Sequence, residues 1–153
     1  MCIRDRFGFD PKVAFLSHST FGKPLSRNTK HVRDAIDLLK NEKVEFDFDG
    51  EMQPDVALNP IYQDVYPFSK IVGRANILIM PALHSAAIST KLMKSFGDAK
   101  LIGPLLIGLD LPIEVAPLRS STSDILNLAS IAAYSADVID YNCLLYTSDA
   151  ADE

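Results

Sequence analysis

The sequence lacks the long apolar runs and the basic surface that would place a protein in a membrane or on a nucleic acid. No apolar run in its 153 residues approaches the roughly 20 residues that a spanning helix needs, and no basic region followed by an apolar one opens the chain. Acidic residues outnumber basic ones by 20 to 15, which makes nucleic acid a poor partner. With 48% apolar and 23% charged residues, the composition predicts one soluble globular domain in the cytoplasm.

Cysteine is nearly absent, and both cysteines lie in terminal segments that we predict to be foreign to the natural domain. Residues 1–6 (MCIRDR) and 143–148 (CLLYTS) can be encoded by reverse-complementary DNA. The pair resembles the mosaic-end adapter of transposase-based sequencing libraries. We therefore expect adapter scars at residues 1–6 and 143–153, and a natural segment at residues 7–142 cut from a longer chain.

The natural segment then has no cysteine, which excludes a disulfide, a thiolate zinc site and a thiol nucleophile there. The scars hold two of the 15 basic and four of the 20 acidic residues, so 13 basic and 16 acidic residues remain, a net charge of −3. The predicted domain is still mildly acidic.

Motifs for nucleotide binding and triad catalysis are also missing. The chain contains neither a P-loop nor a dinucleotide fingerprint, and no serine lies in a nucleophile elbow. The three histidines, His18, His31 and His84, are scattered, so neither a triad nor a zinc site is indicated. We expect His31 to be solvated on the first helix and His84 to lie at a helix start, and we expect no metal site.

Strand-like and helix-like segments alternate along the natural segment. Strands are predicted at residues 12–18, 44–48, 75–80, 101–109 and 113–116. Helices are predicted from Ser26 or Asn28, from Pro54 to about Tyr66, over residues 88–96 before Gly97, and from Ser121. This order favours a three-layer α/β/α fold with a mostly parallel sheet, in which residues 75–80 (ANILIM) form a strand buried on both faces.

The first helix is predicted to be amphipathic. Four residues at helical spacing form its inner face, namely Val32, Ala35, Ile36 and Leu39. Four charged residues are expected to face outward, namely Lys30, Arg33, Asp37 and Lys40.

Polar groups that could form a site cluster where predicted strands end. The turn at residues 19–23 follows a strand, so its backbone N–H groups and Lys23 could hold an anion, and a plain turn is an equal alternative. The second predicted strand stops at Asp49, Gly50 and Glu51. Asp49, Glu51 and Asp55 could form an acid/base pair, a metal site or a polar rim that binds loop amides. We favour a capping and loop-fixing role for Asp55.

The segment that opens the last helix offers a second candidate. Arg119 could pair with a phosphate, and Asp124 lies three residues after Ser121 in the spacing of a capping box. A surface arginine and a simple helix cap remain the alternative.

An ordered set of sequence blocks resembles the second half of the phosphate acetyltransferase/butyryltransferase family. The blocks are VAFLSHSTFG (13–22), DGEMQPDVAL (49–58), ANILIMPAL (75–83), KL (91–92), IGPLLIGL (102–109) and SDILNLASIAAY (123–134). The form fused to the C-terminus of bacterial NADP-dependent malic enzymes is the most similar. The resemblance implies a fold like that of isocitrate and isopropylmalate dehydrogenases, with acetyl-CoA or a related CoA ester bound between this part and an upstream part.

Taken together, the predicted ligand-binding residues for acetyl-CoA or phosphate are Ser19, Gly22, Glu51, Lys91, Arg119 and Asp124. Active members use an arginine to hold the anion and an aspartate to help deprotonate the CoA thiol, roles that fall to Arg119 and Asp124 if the chain is active. The malic-enzyme form implies a homo-oligomer, upstream domains that hold NADP and Mg or Mn, and no cofactor in this segment.

Two departures from the family pattern favour binding over catalysis. Aligned without gaps, the family's Ser-Arg-Gly falls on residues 117–119, so Arg119 stands one position late. The family's P-D-L-x-x-G-N block stands here as PALHSAA at residues 81–87. A phosphate clamp tolerates little displacement. We therefore predict a regulatory acetyl-CoA-binding domain, with an active phosphate acetyltransferase and a purely structural oligomerisation domain as alternatives.

Overall fold

The computed structural model describes residues 8–24, 29–42, 44–97, 100–109 and 111–146. The chain divides into two compact units, residues 8–96 and a second unit that contains residues 97–146, and each is described by itself. The first unit holds strands β1 (Lys12–Leu16), β2 (Asp47–Met52) and β3 (Ile77–Ile79). Its helices are α1 (Lys30–Asn41), α2 (Pro54–Leu58) and α3 (Leu83–Phe96), with a 3₁₀ turn at Pro60–Gln63. The second unit holds helix α4 (Thr122–Tyr146).

The three strands form a parallel sheet in the order β2-β1-β3. Side chains alternate between its faces, which gives two small cores. Val13 and Phe48 pack with Val32 and Ile36 of α1 on one face. Ala14 packs on the other face, in a cluster of six buried residues: Ala14, Leu16, Met52, Ala57, Ile71 and Ala75. Helical residues thus cover both faces of the sheet, and the predicted α/β fold is confirmed.

Strand β2 begins and ends later than predicted. It covers Asp47–Met52, so residues 49–51 belong to the strand and not to a turn after it. The pairing with β1 explains this: Phe15 lies opposite Gly50 and Leu16 opposite Met52, which leaves Glu51 as the extra residue of a bulge. A Cβ at Gly50 would lie 2.7 Å from the carbonyl oxygen of Phe15, so the close approach of the strands requires glycine there.

The expectation that residues 75–80 are buried on both faces is wrong for the described structure. Strand β3 is only three residues long, and none of its residues is buried. Ile79 is 41% exposed. The physical reason is that β3 is the last strand of the described sheet, with β1 on one side only.

Helix α1 carries two exceptions to its predicted faces. Val32 and Ile36 are buried, whereas Ala35 is exposed. Arg33 does not simply face outward, because its guanidinium forms an ion pair with Glu51. The predicted caps Ser26 and Asn28 lie outside the described residues. The structure places Thr29 at the N-cap position.

The helix predicted from Pro54 to Tyr66 is interrupted before Pro60. Helix α2 ends at Leu58 and the 3₁₀ turn begins at Pro60, because proline has no N–H to continue the helical hydrogen bonds. Helix α3 begins at Leu83, earlier than the predicted residue 88, and ends at Phe96 before Gly97 as expected. His84 lies in its first turn, at the predicted helix start. His31 is exposed on α1, also as predicted.

The second unit differs most from the prediction. Residues 101–109 and 113–116 are not strands, and only an isolated antiparallel bridge joins Leu105 and Glu114. Gly103, Pro104 and Gly108 break the apolar run, because glycine and proline disfavour a continuous ladder.

Helix α4 starts as predicted, with Ser121 and Asp124 in a capping box. Asp124 Oδ2 accepts from the Ser121 N–H at 2.9 Å and from its hydroxyl at 2.8 Å, and Ser121 Oγ accepts from the Asp124 N–H at 3.2 Å. Of the residues predicted to share one face of this helix, Leu128 is buried and Ile125 is exposed.

The predicted scars lie largely outside the described residues, which exclude 1–7 and 147–153. Helix α4 continues through the predicted boundary at Asn142 to Tyr146, and the origin of those last residues stays a prediction. Among the helices that the structure describes, none combines the length and the apolar character needed to cross a membrane.

Candidate functional site

A hydrogen-bonded polar cluster lies at the carboxyl ends of β1 and β2, the edge at which parallel α/β sheets bind ligands. Residues 51–53 bind the loop at residues 17–21 through five hydrogen bonds. We call these two segments the strand-end clamp. The main-chain bonds run from Ser17 N to Met52 O at 2.9 Å and from Phe21 N to Glu51 O at 2.7 Å. The others run from Gln53 N to Thr20 Oγ1 at 3.2 Å, from Gln53 Nε2 to His18 O at 2.7 Å and from Ser19 Oγ to Glu51 Oε1 at 2.6 Å.

Glu51 lies at the centre of the clamp. Its side chain is fully buried, and one carboxylate oxygen, Oε1, accepts from the Ser19 hydroxyl and from Arg33 Nη1 at 2.9 Å. The same Arg33 nitrogen donates to Thr29 Oγ1 at 2.6 Å. The second oxygen, Oε2, is buried and has no hydrogen-bond donor in the described structure. The bulge in β2 is what turns this residue inward, since bulges redirect a side chain.

The serines of the clamp form a directed chain of hydrogen bonds. The Ser17 and Ser19 hydroxyls are 3.2 Å apart, and the Ser19 N–H also donates to Ser17 Oγ at 3.3 Å. A carboxylate can only accept, so the Ser19 proton points to Glu51, and the proton between the serines then belongs to Ser17. Both serines are buried, which fixes their orientation.

The turn at residues 19–23 uses most of its backbone donors internally. The N–H groups of residues 20 and 23 bond across the turn to each other's carbonyls at 3.0 Å, and those of 19 and 21 bond within the clamp. Four of the five amides predicted to hold an anion are therefore occupied. Gly22 supplies a positive φ of 81° that the turn requires, and Lys23 is exposed beside it.

The acidic residues near the clamp have separate structural roles. Asp49 accepts from the Gly50 N–H at 2.9 Å and from the Lys70 N–H at 2.8 Å, which is the loop-binding alternative of the prediction. Asp55 lies in the first turn of α2, where a negative charge is favourable, but Gln53 occupies the N-cap position. Within the described ranges, no three His, Cys, Asp or Glu side chains come together as a metal site would require.

Four of the six predicted ligand-binding residues lie in the first unit, namely Ser19, Gly22, Glu51 and Lys91. Ser19 and Glu51 are in direct contact, and Gly22 lies in the adjoining turn. Lys91 is exposed on α3, in the same unit. Arg119 and Asp124 belong to the second unit, where Arg119 is exposed and Asp124 caps α4. The ligand-binding roles of all six residues stay predictions.

The sequence did not reveal the roles of Ser17, which belongs to the clamp, and of Arg33, which binds the clamp from α1. Arg33 was assigned to the outer face of α1 because it is charged, yet its side chain is only 30% exposed. One signal was available in the sequence. A buried carboxylate needs a cation as a partner, and Arg33 stands beside Val32, a residue of the buried face of α1.

The clamp can orient groups but is not built for acid/base chemistry on a substrate. Its carboxylate has no exposed surface, and its two serines are buried. In this loop and the turn that continues it to residue 23, three residues are accessible to a ligand. His18 and Lys23 are exposed, and Gly22 is half-buried. The clamp therefore fixes the position of a small cationic loop at the edge of the sheet.

Residues 3–133 match the family described as phosphate acetyl/butaryl transferase. The chain belongs to this family. The predicted relation is thus confirmed, and the matched range includes all six predicted ligand-binding residues.

Relatives of this family member include two kinds of enzyme. The NADP-dependent malic enzyme of Rhizobium meliloti is 48% identical over 131 residues, which are 86% of this chain and 17% of that protein. The phosphate acetyltransferase of Bacillus subtilis is 36% identical over 131 residues, which are 85% of this chain and 41% of that protein. A solved phosphotransacetylase from Streptococcus pyogenes superposes with a TM-score of 0.79 at 35% identity, over 87% of this chain and 41% of that one.

The chain thus spans 17% of the malic enzyme and 41% of the phosphate acetyltransferase that it resembles. It corresponds to one part of each of these longer proteins.

Proposed function

We propose that this chain is the acetyl-CoA-sensing, acyltransferase-like domain at the C-terminus of an NADP-dependent malic enzyme. The observation that carries the proposal is the identity of 48% to such an enzyme, against 36% to a phosphate acetyltransferase. In this proposal the domain binds acetyl-CoA or a related CoA ester. Upstream domains of a cytoplasmic homo-oligomer oxidise malate with NADP and a divalent metal.

Three features support sensing rather than transfer. Arg119, the residue predicted to hold phosphate, stands one position later than the family's arginine. The family's P-D-L-x-x-G-N block has lost its aspartate, glycine and asparagine in residues 81–87. In addition, four of the five amides in the turn at residues 19–23 already donate within the protein. A transferase must hold phosphate in a fixed position, and a displacement of about 1 Å can cost a hundredfold in rate, whereas binding alone tolerates more.

The experiment uses the complete parent protein, with its malate-oxidising domains. NADPH formation from malate is followed while acetyl-CoA is added, and binding is measured by calorimetry. We expect saturable binding and a change of about fivefold or more in the apparent affinity for malate, since allosteric coupling usually alters a ligand's affinity by at least this factor. CoA without its acetyl group is the ligand control, and the parent protein truncated before residue 7 should lose the response.

The 36% identity to a phosphate acetyltransferase favours one alternative, an active transferase. Formation of acetyl phosphate from acetyl-CoA and phosphate would support that alternative and overturn the sensing proposal. Absence of acetyl-CoA binding in the complete protein would contradict both, and would leave an oligomerisation role if the truncated protein changes its subunit number.

A further inference from the structure

The carboxylate of Glu51 is buried in a way that costs stability. One oxygen has two donors, and the other has none among the described residues. A buried polar atom without a partner costs about 1–3 kcal/mol, and more when it is charged. An apolar side chain of similar size would fill the same volume without that cost, since replacing a buried ion pair by apolar residues is often neutral or stabilising. A requirement other than stability therefore accounts for a carboxylate at this position.

The contacts of Glu51 indicate what that requirement is. Its Oε1 is the common acceptor for two separate segments, the loop after β1 through Ser19 and helix α1 through Arg33. Its backbone carbonyl also accepts from Phe21 N at 2.7 Å. Glu51 thus binds residues on both sides of Gly22 and Lys23 in the sequence.

The geometry points to Glu51 as a positioning residue for the binding of a CoA ester, an inference that rests on the proposed function. Through Ser19 and Arg33, the carboxylate holds the loop so that His18, Gly22 and Lys23 face a phosphate-bearing ligand at the sheet edge. The Glu51 side chain has no exposed surface, so in this proposal it does not contact the ligand directly. Its effect on affinity passes through the loop.

The test compares acetyl-CoA binding in three variants of the complete parent protein. In Arg33→Met with Glu51→Met, the ion pair is replaced by two apolar side chains, so no buried charge is left unpaired. Ser19→Ala removes the bond from the loop to the carboxylate, together with the weaker contact of the Ser19 hydroxyl with Ser17 at 3.2 Å, and leaves the ion pair in place. Lys30→Met with Asp34→Met is the matched control, because it removes an exposed ion pair of 2.8 Å from the same helix.

We expect the dissociation constant for acetyl-CoA to rise about tenfold or more in the first double variant and in S19A, because a loop that is no longer held must be ordered when the ligand binds, and that ordering costs binding free energy. The control should bind like the unchanged protein. Melting temperatures, measured alongside, show that each variant is folded at the temperature of the titration. A purely structural pair would change the melting temperature and leave the affinity of the folded protein unchanged.

The possible outcomes separate the two proposals. If the unchanged protein does not bind acetyl-CoA, the proposed function fails. If the unchanged protein binds and both clamp variants bind equally well, the positioning role of Glu51 is wrong while the proposed function stands. If the double variant does not fold, S19A alone decides, since it deletes one oxygen atom and leaves the carboxylate with its arginine.

Discussion

Two acidic side chains in this molecule accept a hydrogen bond from a serine hydroxyl at nearly the same distance, in very different surroundings. Glu51 accepts from Ser19 at 2.6 Å inside the first unit, and Asp124 accepts from Ser121 at 2.8 Å at the start of α4. The Glu51 side chain is fully buried, whereas the capping contact at Asp124 is exposed to solvent. Similar distances therefore do not imply similar energies.

The two contacts differ in whether water can replace the serine hydroxyl when the hydrogen bond breaks. Water can hydrogen-bond to Asp124 and to the first amides of α4, so the net gain from the capping box is modest. Water has no access to Glu51, so a lost partner leaves a charge or a hydroxyl unsatisfied in a medium of low dielectric constant. The buried contact should therefore be the more sensitive to substitution.

Arg33→Met should have the largest effect. It leaves the buried Glu51 carboxylate without its cation, and removing one partner of a buried pair costs about 3–5 kcal/mol. Urea unfolding of the chain, followed by circular dichroism, measures the change in the free energy of unfolding. Lys30→Met is the matched control, since Lys30 pairs with Asp34 at 2.8 Å on the exposed side of the same helix and should lose about 0–1 kcal/mol. Equal losses in the two variants would show that burial of Glu51 does not control the energy.

Ser19→Ala should have an intermediate effect. The variant removes a hydroxyl that donates to a carboxylate at 2.6 Å, and hydrogen bonds to charged groups contribute about 1.5–3 kcal/mol. Arg33 remains on the same oxygen, so the loss should be smaller than that of R33M. The measurement is again the free energy of unfolding in urea. An unchanged stability would contradict the prediction that a buried donor to Glu51 cannot be replaced.

The same two contacts explain how far the sequence could predict the molecule. The capping box was predictable because Ser121 and Asp124 are three residues apart, and the spacing alone fixes the geometry. The clamp was not, because Ser19 and Arg33 are 32 and 18 residues away from Glu51 and meet it only through the pairing of β1 with β2. Local patterns carry no information about such contacts.

A similar limit explains the misplaced end of β2. Asp49, Gly50 and Glu51 have the composition of a turn, and turn chemistry is a local property. The pairing with β1 overrides it, since the Cα positions of residues 47–50 align with those of residues 12–15. Family membership, by contrast, was readable from the motifs, because it depends on residue order and not on contacts.

Ser121→Ala should have the smallest effect of the three and completes the comparison. It makes the same chemical change as S19A but at a solvated helix start, where loss of an N-cap serine costs about 0.5–2 kcal/mol, typically about 1. The carboxylate of Asp124 stays near the positive end of the helix dipole and can bind water, so part of the energy is retained. Urea unfolding of S19A and S121A under identical conditions gives the ratio of the two losses. A loss for S121A equal to or greater than that for S19A would break the comparison, because burial of the acceptor would then have no effect on the energy of the contact.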